Sequence, residues 1–467
     1  MKTAKELKNL VRPSNMFRDP IQGDIALTTL EKKIIDTNPF QRLRRIKQLG
    51  CTSLVYSGAT HTRFSHALGT VQSAQRIVDQ INKDPSNYSK LGTYHILLVR
   101  LCALLHDLPH IPFGHTLEDE GSLFPSQWED IDRVHYYLGK ESEIGNIIVN
   151  EVGDQCRTDI VRILTAKNES DFMTLPYPFI ADIVGDTLCA DLLDYSRRDS
   201  YFAGLVGGYV DERIIQHLSI NKTDGPFFNR MVLRLSDTKG KVRVDIVGGV
   251  LDLLRSRYRI MEQIIFHHTK IAASAMIIDA VYDSLRENKL SKNELFQLGD
   301  DELLFVLETH GTQISKDIIA KLRRRLLYKP VYMVPFFLRD ERLSIKKRQT
   351  EIFDRFRHPQ RRWELERELE TTNSLPPGSI ILYCPKIEKS EKSTTLRVMI
   401  GNKIMPLKDI PLLPAREEID TLERFYKYLP KFYVFIDPAQ YQKGLVMKIV
   451  SSCESIFEMK NCLYESS

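Results

Sequence analysis

The sequence lacks the cysteine pairs and the long apolar runs that mark several classes of protein. Its seven cysteines lie far apart along 467 residues, so the paired spacings of zinc ribbons and redox centres are missing. Residues 1–10 show no apolar segment of a secretion signal, and the richest apolar stretch, residues 95–105, is short and contains Arg100. We therefore expect a cytoplasmic protein without a membrane span.

The chain also lacks a strong charge of either sign. Its 66 lysines and arginines nearly balance its 61 aspartates and glutamates, and the net charge of +5 is too mild and too mixed for a dedicated nucleic-acid binder. A small positive excess favours anionic small molecules. The length and the hydrophobic content of 42% allow a main domain plus a smaller one.

Apolar periodicity divides the chain into two parts. Helical spacing recurs through the first 320 residues and predicts a mainly α fold, whereas the alternation in residues 228–247 predicts a β-hairpin inserted between helices. We place a boundary near Arg325, between a helical core (1–325) and a smaller α+β lobe (326–467) with a regulatory or oligomerisation role. The helical segments are predicted at residues 40–49, 64–81, 96–108, 180–199 and 250–285. In the lobe, strands are predicted at residues 379–384, 395–400, 432–436 and 445–450, and a helix at residues 416–429.

Seven of the twelve histidines fall within residues 61–135, a density that indicates a functional site. A helix that begins at the Thr62 cap places Arg63 and His66, three residues apart, on one face beside a row of apolar residues. A cation and an imidazole are thus expected to point the same way.

The pair His106-Asp107 stands at the last turn of an almost wholly apolar helix that Pro109 ends. A lone histidine at a helix end is more often a cap or a hydrogen-bonded core residue than a metal ligand. The adjacent carboxylate favours a metal, because an unpaired buried carboxylate is costly. Mixed imidazole and carboxylate sets suit borderline or hard divalent ions and keep positions open for water and substrate, so we expect a catalytic metal.

Five segments carry a resemblance to a known family. GATHTRFSHALG at residues 58–69 and LHDLPHIPFGH at residues 105–115 resemble the signature of the HD-domain deoxynucleoside triphosphate (dNTP) triphosphohydrolases. DPIQG at residues 19–23, FQRLRRIKQLG at 40–50 and DLLDYSRRD at 191–199 resemble the same family, both its vertebrate members with a sterile-alpha-motif domain and its bacterial dGTPase-like members. The resemblance fades after Leu327.

The resemblance implies four metal ligands, namely His66, His106, Asp107 and Asp191. Spacing agrees for the last, since Asp191, Tyr195 and Asp199 recur at four-residue steps on one helix face. A solvated acidic face would explain Asp194 and Asp199 as well, but not the apolar setting of Asp191. The implied cofactor is a divalent metal, one of iron, manganese, magnesium, cobalt, nickel and zinc.

The reaction of the family cleaves the bond between the deoxyribose 5′ oxygen and the α-phosphorus, which releases a deoxynucleoside and intact triphosphate. By resemblance, a metal-activated water is the nucleophile and Arg63 is the cationic clamp on phosphate. His115 then protonates the leaving oxygen, with Glu118 orienting its imidazole, and His110 contacts phosphate.

The substrate-binding residues implied by the resemblance are Gln48, Leu49, Arg63, Tyr195, Asp199 and Arg257. A leucine against C2′ leaves no room for a ribose hydroxyl, while Gln48 and Asp199 can hydrogen-bond the 3′ hydroxyl, so deoxynucleotides are preferred. Arg257 would hold the outer phosphates with its guanidinium fork, and Tyr195 lies near the phosphates. On the sequence alone, a plain core position explains Leu49 equally well, and a solvated face explains Arg257.

Four positions depart from the family pattern. Pro109 replaces a glycine and Asp130 a histidine, while Leu192 and Ile265 stand where a lysine and a tyrosine are expected. These changes weaken the predicted binding of the triphosphate and the sugar. They leave two alternatives open. The first is a phosphatase or phosphodiesterase that acts on another nucleotide or a nucleic-acid end. The second is a nucleotide-sensing scaffold, although the complete set of metal ligands argues against it.

Related enzymes are often dimers or tetramers regulated by nucleotides bound between subunits, so the resemblance implies a homo-oligomer and a nucleotide activator. Asp36, Gln41 and Arg44 match positions used there, although a solvated arginine on an amphipathic helix explains Arg44 as well. The basic residues 321–325 suit a nucleotide, a nucleic acid or an acidic neighbour, and nucleic acid is not required.

Overall fold

The computed structural model describes residues 4–84, 90–124, 131–206, 211–223, 225, 227–237, 240–337, 343–386 and 396–463. The fold is mainly α, as predicted. Its α-helices are α1 (Ala4–Leu10), α2 (Thr29–Ile35), α3 (Asn38–Gln41), α4 (Arg63–Lys83), α5 (Thr93–Leu105), α6 (Arg133–Leu138), α7 (Glu143–Glu151), α8 (Asp154–Thr165), α9 (Glu169–Thr174), α10 (Pro178–Gly185), α11 (Ala190–Ala203), α12 (Val244–Ile260), α13 (His268–Arg286), α14 (Asp300–Thr309), α15 (Gln313–Arg323), α16 (Leu343–Phe356), α17 (Pro359–Thr372), α18 (Leu413–Lys427) and α19 (Lys443–Phe457).

Small sheets accompany the helices. The strands are β1 (Pro13–Asp19), β2 (Gly23–Thr28), β3 (Leu218–Ile220), β4 (Met231–Arg234), β5 (Lys329–Pro335), β6 (Ile380–Tyr383), β7 (Arg397–Ile400), β8 (Lys403–Pro406) and β9 (Lys431–Ile436). β1 and β2 form an antiparallel pair, β3-β4-β7-β8 form a four-stranded sheet, and β5-β9-β6 form an antiparallel three-stranded sheet.

Some predicted helices are interrupted in the structure. Residues 180–199 form two helices, α10 and α11, with the second ending at Gly204 in the left-handed conformation that suits glycine. Residues 250–285 are divided between α12 and α13 by a π-helical turn, Met261–Ile265. Residues 40–49 form only the short α3 and a 3₁₀ turn, Arg42–Arg45. The helical periodicity was correct, but the breaks depend on contacts between distant segments.

One strand prediction was wrong and another was confirmed only in part. The predicted hairpin at residues 228–247 is reduced to an antiparallel bridge between Ser236 and Val242, because α12 begins at Val244 and buries its apolar residues from Ile246 onward at helical spacing. β4 instead pairs with β3 and, in parallel, with β7. Residues 445–450 belong to α19, which buries Val446, Ile449 and Cys453 on one helix face.

The main hydrophobic core spans the chain from Ile25 to Cys462. A second core, which includes Val331, Phe353 and Phe432, lies under the three-stranded sheet. The parallel pairing of Leu233 with Val398 joins segments from both sides of the predicted boundary near residue 325, which stays a prediction.

Among the described residues, no single helix is long and apolar enough to cross a membrane. One pair of helices, Val244–Ile265 and His268–Arg286, bent by 62°, passes the same test by length and composition.

Two carboxyl groups meet where α17 packs against α13. Asp279 is 6% exposed and Glu366 is 1% exposed, and each has one oxygen without a hydrogen-bond partner among the described residues. Burial raises the pKa of Asp279 to about 6 and that of Glu366 well above its usual value, although Arg362 and Arg367 oppose both rises. The folded protein therefore binds protons here more tightly than the unfolded chain does.

Replacing Glu366 with glutamine is expected to flatten the fall of Tm with rising pH. The stability that a raised carboxyl pKa contributes is present below the unfolded pKa of about 4.3 and is lost as the pH rises through the folded pKa. Glutamine keeps the hydrogen bond that the Leu382 N–H donates at 2.7 Å but cannot ionise. Melting curves between about pH 5 and about pH 8 measure this slope. Glu364→Gln, on the same helix at a residue whose side chain is 40% exposed, is the control, and an unchanged slope in Glu366→Gln would contradict the prediction.

Candidate metal centre and substrate pocket

Three helix ends meet at the candidate metal centre. Helix α4 begins after its Thr62 cap, as predicted, and carries His66 in its first turn. Helix α5, buried along most of its length, ends at His106, and Asp107 follows in the next turn. Helix α11 carries Asp191 in its first turn. Because α4 packs against both α5 and α11, the four side chains lie together.

The four predicted ligands form one cluster, in which His66, His106 and Asp107 have ligand atoms within 4.8 Å of one another and Asp191 lies against the two histidines. His66 Nε2 lies 3.3 Å from His106 Nε2 and 3.0 Å from Asp191 Oδ1. Asp107 Oδ1 is 3.4 Å from His106 Nε2, and Asp107 Oδ2 is 3.7 Å from His66 Nε2. The side chain of Asp191 is 33% exposed, more than those of the other three. The cluster is therefore open to solvent beside Asp191.

The hydrogen bonds behind the imidazoles fit a divalent ion. His106 Nδ1 lies 2.8 Å from the carbonyl of Ala103, and His66 Nδ1 lies 2.9 Å from Asp194 Oδ2. With Nδ1 donating to oxygen, each ring turns its Nε2 lone pair inward, as metal-binding histidines do. Two inward lone pairs beside two carboxylates form the mixed donor set that catalytic divalent metals take.

The charges of the cluster also suit a cation. Although burial opposes ionisation, Arg63 and neighbouring histidines hold the pKa of Asp107 well below its usual range. Against the same effect of burial, His106 and His66 lower the pKa of Asp191. Both carboxylates are therefore charged at neutral pH, which is the form that binds metal.

A buried network lies behind His66, and sequence reasoning missed it. The side chain of Asp194 is fully buried, which excludes for this residue the alternative of a solvated acidic face. Arg198 donates from Nε to Asp194 Oδ2 at 2.7 Å and from Nη2 to Asp194 Oδ1 at 3.0 Å. Asp19 accepts two further bonds from Arg198, at 2.8 and 3.1 Å, and Gln22 donates to Asp194 at 2.7 Å. The DPIQG segment thus helps to hold the carboxylate that orients a ligand.

Two features of the sequence could have indicated this network. Asp194 follows Asp191 by three residues, the spacing that lets one helix provide a ligand and the support for another ligand. Gly69 follows His66 by three residues, and a Cβ at Gly69 would overlap Asp194 and Arg198. A glycine in the middle of a helix is costly, so its presence indicates a close approach by another group.

The pairing of His115 with Glu118 was predicted wrongly. Glu118 Oε2 lies 2.6 Å from His110 Nδ1, and it is Asp119 that contacts His115, with Oδ2 2.7 Å from Nδ1. The segment Thr116–Glu120 is a π-helical turn, whose wider winding turns Glu118 inward to the half-buried His110. The rings of His110 and His115 still lie side by side, with centroids 4.9 Å apart.

Arg63 lies directly against the metal ligands. Its Nη1 donates to Asp107 Oδ2 at 2.7 Å, whereas Nε and Nη2 are buried and have no hydrogen-bond partner among the described residues. Gly114, with φ of 44°, packs so closely that a Cβ there would overlap the guanidinium. On the other side of Asp107, His110 Nε2 lies 3.2 Å from Oδ1. A cation and an imidazole therefore flank the same carboxylate.

The predicted sugar-binding residues lie in and beside a small apolar cluster next to the metal centre. Leu49 is a buried member of it, and Tyr195 packs at its edge. Gln48 Oε1 is buried without a hydrogen-bond partner among the described residues. Asp199 is buried as well, and its Oδ1 lies 2.8 Å from Nε2 of His61. The cluster is separate from the main core, and the sugar contact of Leu49 stays a prediction.

Arg257 is half-buried and lies within electrostatic range of Asp191. Burial lowers the pKa of Arg257, but the nearby Tyr195, Tyr426 and Asp191 outweigh this effect and raise the pKa above its usual value. Leu192 is buried in the main core. Ile265 packs against the apolar cluster around Leu49, so neither departure from the family pattern supplies a cation or a phenol. Asp130 lies outside the described residues.

The three residues matched to a regulatory nucleotide site lie close together around α2 and α3. Asp36 is exposed and forms an ion pair with Lys32. Gln41 accepts a hydrogen bond from Arg44 Nε at 2.9 Å, and the Arg44 guanidinium lies 3.5 Å from the centroid of the Phe64 ring. Their regulatory role stays a prediction.

Comparison with known proteins agrees with this geometry. The model of the HD domain matches residues 63–174, and that of the HD associated region matches residues 230–443. An uncharacterised protein of Methanocaldococcus jannaschii is 31% identical over 328 residues, which are 69% of this chain and 60% of that protein. The deoxynucleoside triphosphate triphosphohydrolase SAMHD1 of Bos taurus is 37% identical over 309 residues, which are 60% of this chain and 49% of that protein. The chain thus spans less than two thirds of the length of both relatives.

A solved structure shows the same fold. The crystal structure of a phosphohydrolase from Bacteroides thetaiotaomicron, 20% identical in sequence, matches 91% of this chain and 100% of its own with a TM-score of 0.63. Because the match covers nearly the whole chain, the C-terminal sheets and helices belong to the shared architecture as well as the helical core.

Proposed function

We propose, on the premise that this chain belongs to the HD-domain phosphohydrolases, that it hydrolyses dNTPs to a deoxynucleoside and inorganic triphosphate. The observation that carries the proposal is the composition of helix α11, which offers Asp191 to the metal cluster, Tyr195 to the apolar cluster around Leu49 and Asp199 to His61. In this proposal, one face of one helix connects the metal centre to the site for the nucleotide. The name of the bovine relative supports the choice of substrate.

The metal ligands and Arg63 would act together on the α-phosphate. His66, His106, Asp107 and Asp191 would hold a divalent ion, which would serve as a Lewis acid to activate water and to offset charge on phosphorus. Arg63 Nε and Nη2, which lack partners among the described residues, would donate hydrogen bonds to phosphate oxygens. The ion pair of Nη1 with Asp107 keeps the guanidinium in place without using those donors.

His115 would protonate the leaving 5′ oxygen. Its Nδ1 lies 2.7 Å from Asp119, so the carboxylate stabilises the imidazolium and orients the ring. Glu118 and Asp107 hold the His110 ring in place, and His110 would contact the phosphate. The catalytic set therefore gains Asp119, while Glu118 acts as the support of His110.

Selection of the deoxyribose would fall to the pocket around Leu49. The buried Leu49 side chain leaves no volume for a 2′ hydroxyl, and the unpartnered Gln48 oxygen can accept a hydrogen bond from the 3′ hydroxyl. Asp199, oriented by His61, faces the same pocket in this proposal. Arg257 and Tyr195 would then bind the triphosphate.

Product analysis tests the proposal. Manganese-loaded protein is expected to release triphosphate and a deoxynucleoside from at least one dNTP, with little or no turnover of the matching ribonucleotide. Each dNTP is incubated alone and with the other three, because nucleotide activation is part of the same proposal, and products are separated by ion-exchange chromatography. Release of orthophosphate or of a nucleoside monophosphate instead would assign the site to another HD phosphatase reaction.

A further inference from the structure

The C-terminal part of the chain reaches the predicted triphosphate site through helix α18. This helix packs against α12, the helix that carries Arg257. The ring of Tyr426 lies edge-on to that of Tyr258, with centroids 5.3 Å apart, and Glu418 forms an ion pair with Arg255. These contacts at both ends of the packed face hold α18 in a fixed position beside Arg257.

The hydroxyl of Tyr426, whose ring contacts Tyr258, has no hydrogen-bond partner among the described residues. It is also buried. Burial raises the pKa of the phenol, and the nearby Arg257 guanidinium opposes that rise. Tyr195, on α11, also lies within electrostatic range of both Arg257 and Tyr426. A buried hydroxyl is costly unless it is hydrogen-bonded, so a ligand that bound beside Arg257 and accepted a hydrogen bond from the hydroxyl would remove this cost.

We propose that the Tyr426 hydroxyl donates a hydrogen bond to the outer phosphates of the substrate, beside Arg257. This inference rests on the proposed function, since it takes the triphosphate of a nucleotide as the ligand. It also accounts for two departures from the family pattern, because Leu192 and Ile265 stand where the family has a lysine and a tyrosine. A phenol from the C-terminal region takes the place of a phenol from the helical core.

Calorimetric titration of the manganese-loaded protein with inorganic triphosphate tests the inference directly, without turnover. Tyr426→Phe is expected to weaken triphosphate binding roughly tenfold, because a hydrogen bond to a charged group is lost. Binding of a deoxynucleoside is expected to stay unchanged. In steady-state assays the same variant is expected to raise KM for the dNTP by a similar factor and to change kcat by less than about twofold.

Tyr428→Phe is the matched control, because Tyr428 lies two residues further on, is exposed and contacts Phe337. Unchanged triphosphate binding in Tyr426→Phe would overturn the inference, and so would an equal loss of triphosphate and deoxynucleoside binding, which indicates a structural role. Failure of the parent protein to bind triphosphate would overturn it as well. A parent protein that binds triphosphate but releases none from dNTPs would refute the proposed function alone.

Discussion

An Asp107→Ala protein is expected to lose its divalent metal and its hydrolase activity together. Asp107 places Oδ2 beside His66 and Oδ1 beside His106, and its removal leaves Asp191 as the one carboxylate of the predicted ligand set. The loss of activity should reach at least about a thousandfold, because removal of a single charge-stabilising donor already costs about 10²–10³. Metal content after dialysis and the rate of triphosphate release measure the two effects.

Stability must be followed in the same variant. Arg63 is buried and would lose its only hydrogen-bonded carboxylate partner among the described residues, so some destabilisation is expected as well. Circular dichroism and a melting curve separate unfolding from loss of metal. Asp24→Ala, at an exposed aspartate paired with Arg18, is the control and should keep metal and activity. An Asp107→Ala protein that retained both would refute the metal site.

The metal ligands could be predicted because each stands next to a local signal. His66 follows a Thr62 cap, and His106 with Asp107 follows an apolar helix closed by Pro109. Because such signals depend only on a few neighbouring residues, they can be recognised in the sequence without knowledge of the tertiary structure. Their meeting at one point was inferred from the resemblance to a family, since no spacing along the chain brings Asp191 to His66.

The supporting residues could not be predicted in the same way. On a helix, a buried acid and a solvated acid have the same spacing, and what buries Asp194 is Arg198 together with Gln22 from a distant strand turn. The choice of Glu118 for His115 failed for a related reason, because a π-helical turn changes which carboxylate faces which ring. These contacts depend on tertiary packing and on local winding that periodicity does not record.

The same limit applies to the fold. Helices were found wherever apolar residues recur at helical spacing, but β4 pairs with β7 across more than a hundred residues of sequence, and no local pattern states that partner. The apolar run at residues 445–450 shows the converse, because a short run fits a strand or a helix equally well. Its neighbours Cys453 and Phe457 continue the buried face and decide for α19.

Asp194→Asn is expected to weaken metal binding although Asp194 is not itself a ligand. The carboxylate accepts the His66 Nδ1 hydrogen, which fixes the tautomer and increases the basicity of Nε2, and loss of such a partner costs about 10–100-fold in metal affinity. The change also removes one charge of the fully buried ion pair between Asp194 and Arg198. Breaking such a pair lowers the free energy of unfolding by roughly 3–5 kcal/mol. Asp19 remains bonded to Arg198, so the lower end of that range is expected. Competition with a fluorescent chelator measures the affinity, and denaturant unfolding measures the stability.

Ser196 provides the matched control for this prediction. It lies two residues further along α11, is fully buried, and its hydroxyl has no hydrogen-bond partner among the described residues. Ser196→Ala should therefore leave metal affinity unchanged and leave stability unchanged or slightly higher, because an unsatisfied buried hydroxyl is removed. If Asp194→Asn lowered stability but bound metal as tightly as the parent, Asp194 would act only in folding. Equal metal affinity in Asp194→Asn and Ser196→Ala would thus contradict the orienting role of Asp194 at His66.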